Sequence, residues 1–333
     1  MARIVILGAG GFGLALSFVC AKEHETAVWS AFPDEIEQLK INGGNEKLLP
    51  GVKLNENILL TSDIACLENA DAVIFAVPSF ALRDVAKIAA SKINKSAVII
   101  NVSKGLESGS YKRLSEVLKE ELSGNSVVAL SGPSHAEEVA RGIPTTLVTS
   151  SHDMSAAEYV QDLLMNDRFR IYTNGDIIGV EIGAAVKNVI ALCAGISDGM
   201  GMGDNTKAAL ITRGLSEIAH LGMNLGAKSE TFAGLTGIGD LIVTCTSIHS
   251  RNNRAGFLIG KGTKADEAVS QVGTVEGYYA AKTVYELSVK HGVEMPITEQ
   301  CYNICYEYKD VRQSLYDLMS RPKKHETEKK WLD

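Results

Sequence analysis

Basic charge is what this chain lacks: 33 Lys and Arg face 40 Asp and Glu, for a net charge of −7. A general nucleic-acid binder would carry a basic footprint, so that class is excluded, although a local basic pocket for a small anion is not. The six cysteines (Cys20, Cys66, Cys193, Cys245, Cys301 and Cys305) make no C-x-x-C pair and no Cys/His cluster with zinc spacing. A reduced, cytoplasmic setting without a bound metal is therefore expected. The start MARIVILGAG lacks the basic segment and cleavage site of a signal peptide. No uninterrupted apolar run is long enough to span a bilayer, and there is no internal repeat or low-complexity tract.

What remains is an ordinary globular composition, 45% hydrophobic and 22% charged, in 333 residues. That length predicts two domains. In the first half, short runs at 2–8, 26–30, 71–77, 97–103, 126–132 and 145–151 read as strands separated by helical stretches. Their continuous Val/Ile character suits strands buried on both faces of a parallel sheet, with the helices as right-handed crossovers. After about residue 180 the pattern turns helical, in EIGAAVKNVIALCAGIS, NTKAALITRGLSEIAHLG and TVEGYYAAKTVYELSVKHG, with Gly222 and Gly292 at the expected helix ends. The expected fold is α/β: a Rossmann-type doubly wound domain over 1–180, then an all-α domain over 181–333. Its last residues, PKKHETEKKWLD, are expected to form a mobile charged tail.

The first strand runs into Gly8-Ala9-Gly10-Gly11-Phe12-Gly13, and a helix follows. G-x-G-x-x-G alone is weak, but between an N-terminal strand and a helix it predicts a dinucleotide site. Gly8 permits the tight turn, Gly10 lets backbone approach a pyrophosphate, and Gly13 allows close helix packing, with amide donors at the helix N-terminus. After the second strand an acidic residue would hold the ribose of NAD and an arginine would receive the NADP phosphate. Here Trp29-Ser30-Ala31-Phe32 offers neither, so the choice between NAD and NADP stays open.

Four further places carry chemistry. Lys187 sits in a small apolar helix with Gly183, Ala184, Ile190 and Ala191 one turn away, beside a core stripe of Val186, Val189, Ile190 and Cys193. A lysine at such an edge either covers apolar surface while its head reaches water, or meets something on the small-residue floor. Lys104 follows a strand that should end on the ligand side of the sheet. Gly132, Pro133 and Ser134 form a turn with side chains suited to helix capping. In GLTGIGDLIVTCTSIHSRNNRAG, Thr244 lies one turn beyond Asp240, and Ser250-Arg251-Asn252 groups a hydroxyl, a guanidinium and an amide suited to a phosphate monoester.

The combination GAGGFG, SKGLE, LSGPSHAEEVARGIPT, EIGAAVKNVIA, GDNTKAALITRGL, TGIGDLIVTC and SRNNRAG resembles the NAD(P)-dependent glycerol-3-phosphate dehydrogenases of bacteria, in order and over nearly the whole chain. The resemblance implies reduction of dihydroxyacetone phosphate to sn-glycerol 3-phosphate, feeding phospholipid synthesis. It implies Lys187 as the acid/base, with Asp240 orienting it and Asn188 and Thr244 lining the pocket. Ser250, Arg251 and Asn252 would hold the phosphate, and Gly132 and Ser134 would flank the substrate. Lys104 would lie between nicotinamide and substrate. Gly11, Phe12, Ala136, Arg251 and Glu276 would contact the cofactor. A homodimer is expected only by analogy with other helical second domains.

Some positions depart from the family pattern. His135 stands where Phe is common and reads as a packing substitute, Leu48 replaces a frequent tyrosine, and Ala31-Phe32 replaces the Arg or His that can meet the adenosine 2′-phosphate. Two rival readings remain. A β-hydroxyacid dehydrogenase of the same architecture would want a carboxylate site instead of a phosphate site. A dinucleotide sensor without turnover could dispense with Lys187 or Asp240.

Overall fold

The structure, a computed structural model, describes residues 1–323, 325 and 326; most of the charged stretch 322–333 lies outside them. Two compact units divide the chain. One comprises Met1–Lys104 and Lys112–Ile177, the other Gly105–Tyr111 and the chain from Ile178 onward.

The first unit is built on an eight-stranded sheet: β1 (Arg3–Leu7), β2 (Glu25–Trp29), β3 (Leu59–Thr61), β4 (Ala72–Phe75), β5 (Val98–Asn101), β6 (Val127–Ser131), β7 (Thr145–Ser150) and β8 (Phe169–Asn174). Their spatial order is β3-β2-β1-β4-β5-β6-β7-β8. The first six follow the doubly wound dinucleotide-binding order and are parallel throughout. Around them lie α1 (Gly11–Cys20), α2 (Pro33–Asn42), α3 (Leu82–Ala89), α4 (Leu114–Glu121), α5 (Ala136–Ala140) and α6 (Met154–Leu164). Helix α3 shows why such segments dock: it buries Leu82, Val85, Ala86 and Ala89, one stripe at helical spacing.

Two details differ from the sequence reading. TTLVTSS is not another parallel strand: β7 runs antiparallel to β6, because the connection carries only the five-residue α5 and no full crossover helix. β3 and β8 had no strong signal. β3 has three residues, and β8 alternates buried with exposed positions.

The second unit is helical: α7 (Ile177–Gly199), α8 (Asp204–Asn224), α9 (Ser229–Phe232), a π-helical turn at Leu235–Gly239, α10 (Asp240–Thr246), α11 (Arg251–Gly260), α12 (Ala265–Val272), α13 (Glu276–His291), α14 (Pro296–Tyr306) and α15 (Val311–Met319). Gly292 ends α13 in the left-handed conformation at φ 65°, as expected. Gly222 does not end α8, which continues to Asn224; a Cβ there would lie 2.2 Å from the Phe232 ring, so this glycine makes room for an aromatic side chain. Helix α7 is the axis of the unit. By length and composition it alone among the continuous helices described could cross a bilayer, yet 89% of its most apolar window is buried inside the protein.

Candidate functional site

In the first unit the glycine loop takes the form a dinucleotide needs. Gly8 has φ +118°, and its amide donates to the Trp29 carbonyl at 2.8 Å. A Cβ on Gly13 would stand 2.0 Å from the Gly8 carbonyl oxygen, so only glycine lets α1 begin this close to β1. Gly10 is the N-cap of α1 and no side chain caps that helix; a Cβ on Gly10 would meet nothing within 4 Å. An uncapped helix N-terminus opening onto free space fits an anionic pyrophosphate. Ala136 and Leu48 flank Gly11, at 3.6 and 3.8 Å from where its Cβ would be. Phe12 packs against the sheet's core.

At the carboxyl ends of β5 and β6, one carbonyl gathers two of the expected residues. Lys104 Nζ and Ser134 Oγ each donate to the Gly132 carbonyl at 3.0 Å. Ser134 therefore does not cap α5. The N-cap position falls to His135, whose carbonyl accepts from the amides of Glu138 and Val139.

In the second unit Lys187 is 4% exposed, on a helix in which every residue from Val180 to Ser197 is buried. The reading in which the lysine head reaches water is thereby excluded. Its Nζ donates to Asp240 Oδ1 at 2.5 Å and to Thr244 Oγ1 at 2.6 Å. The Thr244 hydroxyl in turn donates to the Asp240 carbonyl at 2.6 Å, the i to i−4 bond within α10. Asp240 is 1% exposed and opens α10 directly after the π-helical turn. The small residue Gly183 does not make room for a ligand, as its position one turn from Lys187 suggested. It admits the Thr236 carbonyl of that turn, which a Cβ would approach to 2.7 Å. The turn is thus seated on α7, and Asp240 is carried to the lysine.

The phosphate-type tripeptide is divided in its tasks. Ser250 is the N-cap of α11, with its Oγ accepting from the Asn253 amide at 3.2 Å. Asn252 is buried: its Nδ2 donates to Asn188 Oδ1 at 3.0 Å and its Oδ1 accepts from the Gly277 amide at 2.8 Å. Those bonds join α7, α11 and the start of α13, where Glu276 is the first helical residue. Arg251, exposed at the first turn of α11, is the one member of the three pointing its charge to solvent.

Comparison with known proteins gives the family. Residues 3–157 match the N-terminal family profile, and residues 176–316 the C-terminal one, of NAD-dependent glycerol-3-phosphate dehydrogenase. The chain belongs to that family. It is 51% identical over 329 residues to the NAD(P)+ glycerol-3-phosphate dehydrogenase of Clostridium perfringens, covering 98% of this chain and 99% of the relative. A protein of the same name from Moorella thermoacetica is 50% identical, covering 98% of each. Among solved structures, glycerol-3-phosphate dehydrogenase from Coxiella burnetii superposes with a TM-score of 0.93 at 39% identity, over 96% of this chain and 99% of that one. The chain is thus an NAD(P)-dependent oxidoreductase by family.

The packing that holds the family's helical unit together was not evident from motifs. Where α7 meets α11, a Cβ on Gly195 would stand 2.1 Å from the Asn253 carbonyl, and Cβ atoms on Gly256 and Gly260 would stand 2.1 and 2.2 Å from the carbonyls of Leu192 and Ile196. Backbone touches backbone along this seam, which fixes Asn252 against Asn188. The signal was present as two glycine pairs four apart, Gly195/Gly199 and Gly256/Gly260, each on one face of its helix. Asn253 adds a bond from Nδ2 to the Cys245 carbonyl at 3.0 Å, tying α11 to α10.

Proposed function

We propose that this protein reduces dihydroxyacetone phosphate to sn-glycerol 3-phosphate, reversibly, with NADH or NADPH, and that Lys187 is its general acid/base. The observation carrying this reading is the buried Lys187–Asp240–Thr244 group, two opposite charges held by direct bonds in the interior of the helical unit.

A reduced nicotinamide, when bound, would supply the hydride for the carbonyl carbon of the substrate. The carbonyl oxygen then gains negative charge, and the Lys187 ammonium stabilises it and donates a proton from Nζ. Asp240 keeps the ammonium charged and aimed, and Thr244 fixes its position by accepting one Nζ hydrogen. In the oxidative direction the neutral amine takes that proton back.

Arg251 and the amides at the start of α11 hold the substrate phosphate, with Ser250 capping that helix. Asn252 and Asn188 serve by keeping α11 and α13 in register with Lys187. In the first unit, Gly8, Gly10, Gly11, Phe12 and Gly13 receive the pyrophosphate, with Ala136 beside them. Lys104, Gly132 and Ser134 serve the nicotinamide end and the substrate, and Glu276 contributes to the cofactor's contacts. We place the enzyme in the cytoplasm, supplying glycerol 3-phosphate for phospholipid synthesis, as a homodimer by analogy with other helical second domains.

The test follows reduced-nicotinamide absorbance with dihydroxyacetone phosphate, giving NADH and NADPH in parallel. Rapid substrate-dependent oxidation supports the reading. Binding of both cofactors without oxidation overturns the substrate assignment and points to a β-hydroxyacid instead.

A further inference from the structure

The second strand ends without an acidic residue in sequence, but the fold returns one to it. Trp29 is the last residue of β2, and its carbonyl accepts from the Gly8 amide at 2.8 Å, so the strand end lies against the glycine loop. Ser30 follows, 3% exposed, with its amide donating to the Thr61 carbonyl at 3.1 Å. Its hydroxyl donates to Glu35 Oε2 at 2.5 Å and accepts from the Phe32 amide at 3.2 Å. Glu35 is the third residue of α2, and the turn from Ser30 through Pro33 folds its carboxylate back onto the strand end.

The charges nearby are mostly negative. Between Glu25 and Asn42 the chain holds Glu25, Asp34, Glu35 and Glu37 against the single cation Lys40. Glu35 also borders a cavity of about 420 Å³ lined in part by Glu46 and Lys53, and the Lys53 ammonium donates to the Asn42 carbonyl at 2.9 Å. A carboxylate at the end of the second strand accepts hydrogen bonds from ribose hydroxyls, whereas a 2′-phosphate there meets like charge with no arginine to offset it.

We propose that Glu35, positioned by the Ser30 hydroxyl, is a specificity-determining residue that selects NADH over NADPH. The carboxylate accepts from the adenosine 2′-hydroxyl and repels the 2′-phosphate. This rests on the cofactor reading above and adds the choice between the two dinucleotides, which the residues Ala31 and Phe32 left open.

Calorimetric titration of the full chain with NADH and NADPH, and with the fragments AMP and adenosine 2′,5′-bisphosphate, tests it without turnover. NADH is expected to bind roughly tenfold more tightly than NADPH, and AMP more tightly than the bisphosphate, from one like-charge contact near the surface. In Glu35→Gln the NADH/NADPH ratio should shrink to within about threefold, chiefly through tighter NADPH binding, as expected when that contact is removed. Equal binding, an NADPH preference, or an unchanged ratio in Glu35→Gln overturns the proposal. The fragments decide on the unaltered chain if the variant does not fold. If neither dinucleotide binds, the cofactor reading itself is overturned, and the proposal with it.

Discussion

Lys187 Nζ and Asp240 Oδ1 meet at 2.5 Å although 53 positions separate them, and their side chains are only 5% and 2% exposed. Burying two charges costs several kcal/mol per ion before their attraction offsets it, so such a pair is a poor stabilising device compared with well-packed apolar residues. Its presence at the centre of the helical unit is explained by positioning: the carboxylate sets where the ammonium stands.

Lys187→Ala is therefore expected to lower kcat by about 10²- to 10⁴-fold, the usual worth of a positioned acid/base. It also leaves Asp240 buried without its counter-ion, which should cost about 3–5 kcal/mol of stability. Steady-state kinetics, urea unfolding and NADH titration check the three quantities, with cofactor affinity expected to hold. Turnover within tenfold of the parent would remove Lys187 from the chemistry.

Stability and activity can be separated by replacing the pair together. Lys187→Met with Asp240→Leu removes both charges and keeps apolar volume, so it should recover most of the stability lost in Lys187→Ala while staying inactive. Thr244 keeps its bond to the Asp240 backbone carbonyl, which does not depend on the side chain at that position. Urea midpoints and turnover of the single and double variants decide it; recovered turnover would contradict the proposed role.

The fold class and the glycine loop were legible because each has a local signature. Buried parallel strands read as continuous Val/Ile runs, and the glycine loop needs three glycines at fixed spacing. What was not legible depended on partners distant in sequence. Lys187 looked like an edge residue because its helix was judged by one stripe, whereas neighbouring helices cover every side of it. Gly183 and Gly222 looked like a ligand floor and a helix stop until Thr236 and Phe232 were seen to fill those spaces. Glu35 was invisible as a strand-end acid because it arrives from the next helix through Ser30.

The seam between α7 and α11 gives a third prediction. Gly256→Ala places a methyl group 2.1 Å from the Leu192 carbonyl and 2.8 Å from the Ile196 amide, and neither is a side chain that can turn aside. The helices must part, at about 1–3 kcal/mol or more by the usual cost of overpacking. Because Asn252 is on α11, kcat/KM should fall with stability. Denaturation and kinetics on the same sample check this; an unchanged unfolding midpoint would show that the seam yields.

Glu217 on α8 provides a pH prediction. Burial pushes its carboxyl up to about 7, partly opposed by the hydrogen bonds it accepts from the amides of Ile297 and Thr298 and from the Thr298 hydroxyl. A carboxyl that holds its proton more tightly folded than unfolded favours the fold below its unfolded value near 4.5, and that contribution is lost as pH rises through about 7. Relative to Glu217→Gln, the parent should thus lose on the order of 3 kcal/mol between pH 4.5 and pH 7. Urea unfolding of both proteins across that range reads the slope of the difference, and a flat difference would contradict it.

Helix α7 also bears on how the protein is made. Part of its cover comes from residues far downstream: Cys301 on α14 reaches the Val189 carbonyl at 4.0 Å, and Cys193 the Ile297 carbonyl at 3.9 Å. A ribosome that has finished α7 must add roughly a hundred more residues, several seconds of translation, before α14 exists to shield it. During that interval the nascent chain displays a segment as apolar as a membrane span. A chain terminated before α14 would keep that segment uncovered, which makes premature stop products of this gene candidates for aggregation and chaperone capture instead of harmless fragments.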